Sequence, residues 1–147
     1  MKLTDKAEQI EMEKQRSVIA IIDDNSEIRA ALEELLSFFG YRVEAYSSAE
    51  EFVAASITTE ASCLLLDIQL GDITGIELAR QLSATGFRFP IIFMTASQEE
   101  RHRRQALDFG CVAYLLKPFH VSQLIEAITK AIGCAPGQEN KECQNGA

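Results

Sequence analysis

The chain has 147 residues, and 47% of them are hydrophobic, which is enough for one hydrophobic core of ordinary size but hardly for two. Its 22 acidic residues outnumber its 14 basic ones and give a formal net charge of -8 at pH 7, which argues against attraction to nucleic-acid phosphates as its main binding mode. The first 16 residues lack the apolar region of a secretion signal, and no later apolar run reaches transmembrane length. We therefore expect one domain in a soluble, cytoplasmic protein that does not enter a membrane.

Short apolar runs rich in β-branched residues recur along the chain and predict buried strands. These runs are Val18 to Ile22, Arg42 to Tyr46, Cys63 to Leu66, Pro90 to Met94 and Val112 to Leu116.

Segments with helical periodicity separate the runs. The first of them places Ile28 and Leu32 on an apolar face and Arg29 on a polar face, and Gly40 is expected to end this helix. Serine followed by glutamate three residues later predicts helix starts in Ser48-Ala49-Glu50-Glu51 and in Ser97-Gln98-Glu99-Glu100.

Regular alternation of strand and helix predicts an α/β fold, with a parallel sheet covered on both faces and joined by right-handed crossovers. The predicted domain covers residues 17–133. A polar extension, residues 1–16, precedes it, and a flexible polar tail, residues 134–147, follows it.

Four of the five predicted strands end beside residues suited to phosphate or metal chemistry: Asp23 and Asp24, Asp67, Thr95, and Lys117. Since ligands of open parallel sheets bind beyond the carboxyl ends of the strands, we expect these side chains to meet on one rim. Adjacent carboxylates suit Mg²⁺, and an aspartate can attack a phosphoryl group if nearby cations neutralise the oxygen charge.

Each of these residues also has a plainer interpretation. Asp24 could cap the following helix, Asp67 could begin an ordinary turn, and Lys117 could be a solvated residue at a strand end. Thr95 could simply lead into the next helix. Only the joint pattern separates these residues from such ordinary roles.

Four segments carry a family resemblance, in order along the chain: VIAIIDDN, LLLDIQLGDITGIEL, IIFMTAS and AYLLKPF. In these segments the chain resembles the receiver domain of two-component response regulators, the CheY-like superfamily, from about Ser17 to Gly133. The resemblance implies a flavodoxin-like, doubly wound sheet of five parallel strands in the order 2-1-3-4-5, with five helices.

The resemblance also implies roles for individual residues. Asp67 would be the phosphoacceptor, and Mg²⁺ would be bound directly by Asp24 and Asp67, through water by Asp23, and by the backbone carbonyl of Gln69. The residues implied to bind phosphoryl oxygens are Lys117, Thr95 and, through its amide, Ala96. The residues implied to switch conformation are Thr95 and Tyr114, although Tyr114 could equally be a static interface tyrosine.

By the same resemblance, a histidine kinase or phosphotransfer protein would donate the phosphoryl group, and the receiver would itself catalyse part of its phosphorylation and dephosphorylation. It would be a signalling protein and not a conventional enzyme. The output face would comprise the last two helices and the last strand, which could also form a homodimer. Either the chain works alone, or it belongs to a longer regulator with a DNA-binding domain that this sequence does not contain.

Two features depart from the expected pattern. The loop after Asp67 has Leu70-Gly71 where the family commonly has Met-Pro, so we expect a looser loop with modestly lower Mg²⁺ affinity and a changed rate of hydrolysis. The RHRR cluster, Arg101 to Arg104, is expected to be a solvated helix face, with His102 in an exposed turn and without a phosphorelay role.

Three other functions remain open from the sequence. A dehalogenase-type phosphatase also forms an aspartyl phosphate, but its nucleophile follows the first strand in a D-x-D arrangement, whereas this chain has Asp23-Asp24-Asn25. A flavodoxin-like cofactor binder would need a glycine- or hydroxyl-rich loop at that position. A receiver-like docking module that does not use its phosphorylation chemistry is the third alternative.

Overall fold

The computed structural model describes residues 17–133, together with Glu8. The other residues of the two predicted tails, 1–16 and 134–147, lie outside this part of the chain. Residues 17–133 form five strands alternating with five helices: β1 (Val18–Ile22), α1 (Ser26–Phe38), β2 (Arg42–Tyr46), α2 (Ala49–Ala55), β3 (Ala61–Asp67), α3 (Gly75–Ala84), β4 (Ile91–Thr95), α4 (Glu100–Phe109), β5 (Ala113–Leu116) and α5 (Val121–Gly133).

The strands form one parallel sheet in the order β2-β1-β3-β4-β5, which confirms the predicted flavodoxin-like topology. β1 and β2 have the bounds expected from the sequence, and the other three strands differ by one or two residues at one or both ends. Because β1 and β3 are paired neighbours near the middle of the sheet, the residues at their carboxyl ends lie side by side.

Two hydrophobic clusters cover the two faces of the sheet, because successive side chains of a strand point to opposite faces. In β1, Ile19 and Ile21 belong to one cluster with residues of α1 and α5, whereas Ala20 and Ile22 belong to the other with residues of α2, α3 and α4. All five residues of β1 are buried. The carboxyl edge of the sheet is therefore fixed by a core on each side.

The helix ends agree with the sequence in two of three places. Ser48 caps α2 by accepting a hydrogen bond from the Glu51 amide at 3.1 Å, and Gly40 follows α1 with φ of 93°. The start of α4 was predicted wrongly, since its N-cap is Glu99 and not Ser97. The Ser97 hydroxyl instead accepts a hydrogen bond from the Glu99 amide at 3.2 Å, which forms a tight turn and delays the helix by two residues.

Among the described residues, no helix is long and apolar enough to span a bilayer.

Candidate functional site

Three carboxylates converge at the carboxyl edge of the sheet. Asp23 and Asp24 directly follow β1, and Asp67 is the last residue of the neighbouring strand β3. One carboxylate oxygen from each lies within 4.8 Å of the others. Oxygen ligands at this spacing fit a hard divalent cation such as Mg²⁺, which commonly binds to one or two carboxylates and retains several waters.

Asp23 is the innermost of the three and is fully buried. Its Oδ2 accepts a hydrogen bond from Lys117 Nζ at 2.8 Å, and its Oδ1 accepts one from the Asn25 amide at 2.9 Å. A buried carboxylate needs such partners because its desolvation is otherwise very unfavourable. Asp24, by contrast, is exposed.

Lys117 reaches this group from the opposite half of the sheet, directly after β5. Its amide donates to the Thr95 carbonyl at 2.8 Å, which fixes the lysine backbone beside β4. Its Nζ lies 2.8 Å from Asp23 Oδ2 and 3.6 Å from Asp67 Oδ2. The peptide bond between Lys117 and Pro118 is cis. The predicted lysine therefore lies within reach of both carboxylates.

The environment of Asp67 raises the pKa of its carboxyl group from 3.8 to about 6. Burial is the main cause, and the negative charge of Asp23 adds to it. The charge of Lys117 and a hydrogen bond from the Gln69 amide to Oδ1, at 3.2 Å, act in the opposite direction. Near neutral pH the carboxylate is therefore mostly ionised, with the positive charge of Lys117 beside it.

Thr95 is the last residue of β4 and is fully buried. Its Oγ1 accepts a hydrogen bond from the Ser97 amide at 3.0 Å, while its own hydroxyl proton can still be donated. Ala96 follows it at an exposed position. β4 is paired with β3 through Asp67 and Met94, so Thr95 and Ala96 lie at the same edge as Asp67.

The loop after Asp67 is closed by a bridge between Gln69 and Thr74. Within it, Gly71 has φ of 97°, in the left-handed region. Proline is confined to φ near -65°, so the Met-Pro found in many receivers cannot follow this backbone path. The glycine thus specifies a different loop conformation. Whether this conformation alters Mg²⁺ affinity remains a prediction.

Two residues that support the site were not identified from the sequence. Gly75 begins α3, and a Cβ atom there would collide with the Asp67 carbonyl oxygen, while its amide donates to the Ile68 carbonyl at 2.8 Å. A glycine in the first turn of a helix, where its propensity is poor, was the available signal. Arg29 was assigned to a polar face, yet it is half-buried and its Nη1 donates to the Asp23 carbonyl at 2.8 Å.

Tyr114 lies on β5 beside a cleft of about 550 Å³ between α4 and α5. The residue is half-buried, and its hydroxyl is buried without a hydrogen-bond partner in the described part of the chain. Burial raises the pKa of Tyr114, and the nearby charge of Arg103 opposes that effect. Tyr114 lies two residues before the carboxyl end of β5 and adjoins the cleft between the last two helices.

His102 does not lie in an exposed turn as predicted. Its side chain is on the buried face of α4, and Nε2 lies 3.7 Å from Glu99 Oε2. The helical period explains the difference, because Arg101 and Arg103 point to solvent while the residue between them turns toward the core.

The model of the response regulator receiver domain matches residues 19–129. The chain belongs to this family. Among curated relatives, the response regulator protein TmoT of Ectopseudomonas mendocina is 32% identical over 133 residues, covering 90% of this chain and 60% of TmoT. TodT of Pseudomonas putida is 33% identical over 129 residues, covering 88% of this chain and 57% of TodT. The receiver chain thus spans about three fifths of the length of these relatives.

Solved receiver structures have the same fold. The structure of FixJ-N has a TM-score of 0.78 and 29% identity, covering 84% of this chain and 99% of that one. The response regulator TrrA from Thermotoga maritima, solved in complex with Mg²⁺-BeF, has a TM-score of 0.70 and 26% identity, covering 78% of this chain and 98% of that one. Membership in the receiver family favours a signalling protein over the phosphatase and cofactor-binding alternatives.

Proposed function

We propose that this receiver accepts a phosphoryl group on Asp67 from the phosphohistidine of a histidine kinase or phosphotransfer protein. The observation that carries the proposal is the convergence of Asp23, Asp24 and Asp67 within 4.8 Å, with the Lys117 ammonium 3.6 Å from Asp67. In this arrangement a nucleophilic carboxylate lies beside both a place for a divalent cation and a fixed positive charge.

The carboxylates are suited to bind Mg²⁺, which neutralises phosphoryl oxygen charge when it is bound. Asp24 and Asp67 would bind it directly, and Asp23 would act through water because it already accepts hydrogen bonds from Lys117 and Asn25. The Gln69 carbonyl would supply a further oxygen. The known complex of the similar receiver TrrA with Mg²⁺-BeF supports this assignment.

Phosphoryl transfer would form a bond between an Asp67 oxygen and phosphorus as the bond from phosphorus to the donor imidazole nitrogen breaks. Lys117 would contact one phosphoryl oxygen as a point charge. The Thr95 hydroxyl and the Ala96 amide would donate hydrogen bonds to others. Later attack by water on phosphorus would release inorganic phosphate and restore the Asp67 carboxylate.

Output would follow from a shift between two arrangements of the domain. Thr95 would move toward the phosphoryl group, and Tyr114 would turn further inward beside the cleft between α4 and α5. That face would then bind a partner, a second copy of the chain, or an output domain. One relative, TdiR of Thauera aromatica, is named a transcriptional regulatory protein, which favours control of a DNA-binding domain in a longer regulator.

The proposal is tested by intact-mass analysis after incubation with Mg²⁺ and a small acyl-phosphate donor. We expect one phosphoryl adduct on the wild-type chain, and we expect none without Mg²⁺ or in Asp67→Asn. Asp108→Asn, which removes an exposed carboxylate on α4, is the matched control and should still be phosphorylated. A folded wild-type chain that gains no phosphoryl group and binds no Mg²⁺ would instead support a docking module independent of phosphorylation.

A further inference from the structure

The side chains of the two acidic residues after β1 point in different directions. Asp23 is buried and reaches Lys117, whereas Asp24 is exposed at the rim. Within residues 17–133, the Asp24 carboxylate has no hydrogen bond or ion pair of its own. Among the described residues, only the backbone therefore restrains the direction in which this side chain leaves the chain.

That backbone is fixed from α1. The Nη1 atom of Arg29 donates a hydrogen bond to the Asp23 carbonyl at 2.8 Å, across six residues. The Asp23 carbonyl and the Asp24 amide belong to one planar peptide group, so this contact restrains the plane from which the Asp24 side chain departs. On the other side of Asp23, its amide donates to the Tyr46 carbonyl at 3.2 Å.

We infer that Arg29 is a positioning residue for the metal site, because it fixes the Asp23–Asp24 peptide group and thereby the direction of the Asp24 carboxylate. The inference rests on the proposed function, in that Asp24 is taken to be a Mg²⁺ ligand. The guanidinium suits this role because it remains charged at all working pH values and has several donors in a rigid plane.

Whether removal of Arg29 weakens or strengthens Mg²⁺ binding distinguishes a positioning role from a simple electrostatic one. Arg29 is a cation near a cation site, so Coulomb's law alone predicts that its removal would strengthen Mg²⁺ binding. Loss of positioning predicts the opposite. Residues that orient metal ligands typically change metal affinity by about 10–100-fold when they are replaced.

The experiment measures Mg²⁺ affinity by titration calorimetry in wild-type, Arg29→Ala, Arg29→Lys and Arg88→Ala proteins. Arg88 is an exposed arginine shortly before β4, and its replacement removes the same charge away from the site. We expect Arg29→Ala to bind Mg²⁺ at least about tenfold more weakly. Arg88→Ala should stay within about twofold of wild type, and Arg29→Lys, which keeps a donor and the charge, should recover part of the loss.

A second readout needs no metal. The Asp24 amide shares a peptide group with the Asp23 carbonyl, which accepts the hydrogen bond from Arg29. The ¹H–¹⁵N resonance of the Asp24 amide should therefore shift in Arg29→Ala but not in Arg88→Ala. A folded Arg29→Ala protein with wild-type or stronger Mg²⁺ affinity would overturn the inference. If Arg29→Ala does not fold, Arg29→Met decides, because it keeps the aliphatic stem but has no hydrogen-bond donor, and unchanged Mg²⁺ affinity with an unchanged Asp24 resonance in that variant overturns the inference.

The two proposals fail in different ways. A wild-type protein that binds no Mg²⁺ contradicts the proposed function. In that case an unshifted Asp24 resonance in the folded Arg29 variants would also overturn the positioning role, whereas a shifted one would support the restraint on the peptide group.

Discussion

The ammonium of Lys117 lies closer to Asp23, at 2.8 Å, than to Asp67, at 3.6 Å, although the two aspartates occupy neighbouring strands. The nearer partner is the fully buried one. A charge that is wholly excluded from water needs a close partner, so Lys117 pairs most closely with Asp23 and remains within reach of Asp67, which is also buried.

Asp23→Asn tests this arrangement. The change removes a negative charge from the proposed cation site and also removes the charged partner of Lys117, so the lysine should move toward Asp67. We expect Mg²⁺ affinity to fall by at least about tenfold, as measured by titration calorimetry at constant ionic strength. Asp108→Asn removes an exposed charge on α4 and should leave the affinity unchanged. Equal affinities in both variants would contradict the role of Asp23.

Asp67→Asn should stabilise the protein when Mg²⁺ is removed by a chelator. The folded-state pKa of Asp67 is about 6, above its ordinary value of 3.8, so ionisation of this carboxyl destabilises the folded state. At pH 7.5 the neutral asparagine avoids that loss, and we expect a gain on the order of 1 kcal/mol after allowance for solvent screening. The advantage should shrink as the pH falls from 6 to 4, where the wild-type carboxyl is protonated.

Urea denaturation at pH 7.5 and at pH 4.5 measures this difference. The sign follows from proton binding, because the folded protein binds more protons than the unfolded chain between the two pKa values and so loses stability as the pH rises. A stabilisation of the same size at both pH values would show that a pH-independent effect, such as improved packing, is responsible.

The sequence predicted the sheet well because buried parallel strands have a distinctive composition. Both ends of the fully buried strand β1 were predicted at the correct residues. The residues that follow or end β1, β3, β4 and β5 indicated the functional edge of the sheet. The pairing of strands in a doubly wound sheet then brings these ends together. Convergence of Asp23, Asp67 and Lys117 was therefore predictable from the chain alone.

What the sequence did not predict depends on contacts between elements or on helix phase. The start of α4 at Glu100 depends on a local turn in which the Ser97 hydroxyl accepts a hydrogen bond from the Glu99 amide, so the serine of the predicted capping box bonds one residue earlier. The burial of His102 depends on the rotation of α4 against the core. The contact of Arg29 is with a carbonyl six residues away, which helical periodicity does not reveal.

Gly71→Pro tests the loop after Asp67. Proline matches the common family residue, but Gly71 has φ of 97° and proline cannot adopt that angle. We expect the variant to lose about 1–3 kcal/mol in its free energy of unfolding, measured by urea denaturation. Gly71→Asn should lose less, since asparagine tolerates positive φ better than most residues. A Gly71→Pro protein as stable as wild type would show that the loop readily adopts another path.

Gly75→Ala should disturb Asp67, the proposed phosphoacceptor, through its backbone. The added methyl group would meet the Asp67 carbonyl oxygen, so β3 and α3 must separate, at a cost of about 1–3 kcal/mol. We also expect slower phosphorylation by an acyl-phosphate donor, followed by intact mass. Gly133→Ala is the matched control, because a methyl group there would meet no atom within 4 Å among the described residues. Similar losses in both variants would contradict the close approach at Gly75.

Two tyrosines allow the loss of a hydroxyl group to be tested with and without a hydrogen-bond partner. The Tyr114 hydroxyl is buried without a partner among the described residues, whereas the Tyr46 hydroxyl donates to Glu44 Oε1 at 2.7 Å. Tyr46→Phe removes a hydrogen bond and should lower the free energy of unfolding by about 1 kcal/mol. Tyr114→Phe removes an unsatisfied polar atom and should leave stability equal or higher, because the hydroxyl has lost its hydration without gaining a bond.

Urea denaturation of wild-type, Tyr46→Phe and Tyr114→Phe proteins without phosphoryl donor measures both effects. In the proposed switch, inward rotation of Tyr114 gives its hydroxyl a hydrogen-bond partner. The effect of Tyr114→Phe on stability should then reverse, so that the phosphorylated variant is less stable than the phosphorylated wild type. A loss at Tyr114 as large as that at Tyr46 in the unphosphorylated state would mean that its hydroxyl already has a bonding partner, such as water, and that its buried position does not favour a switch.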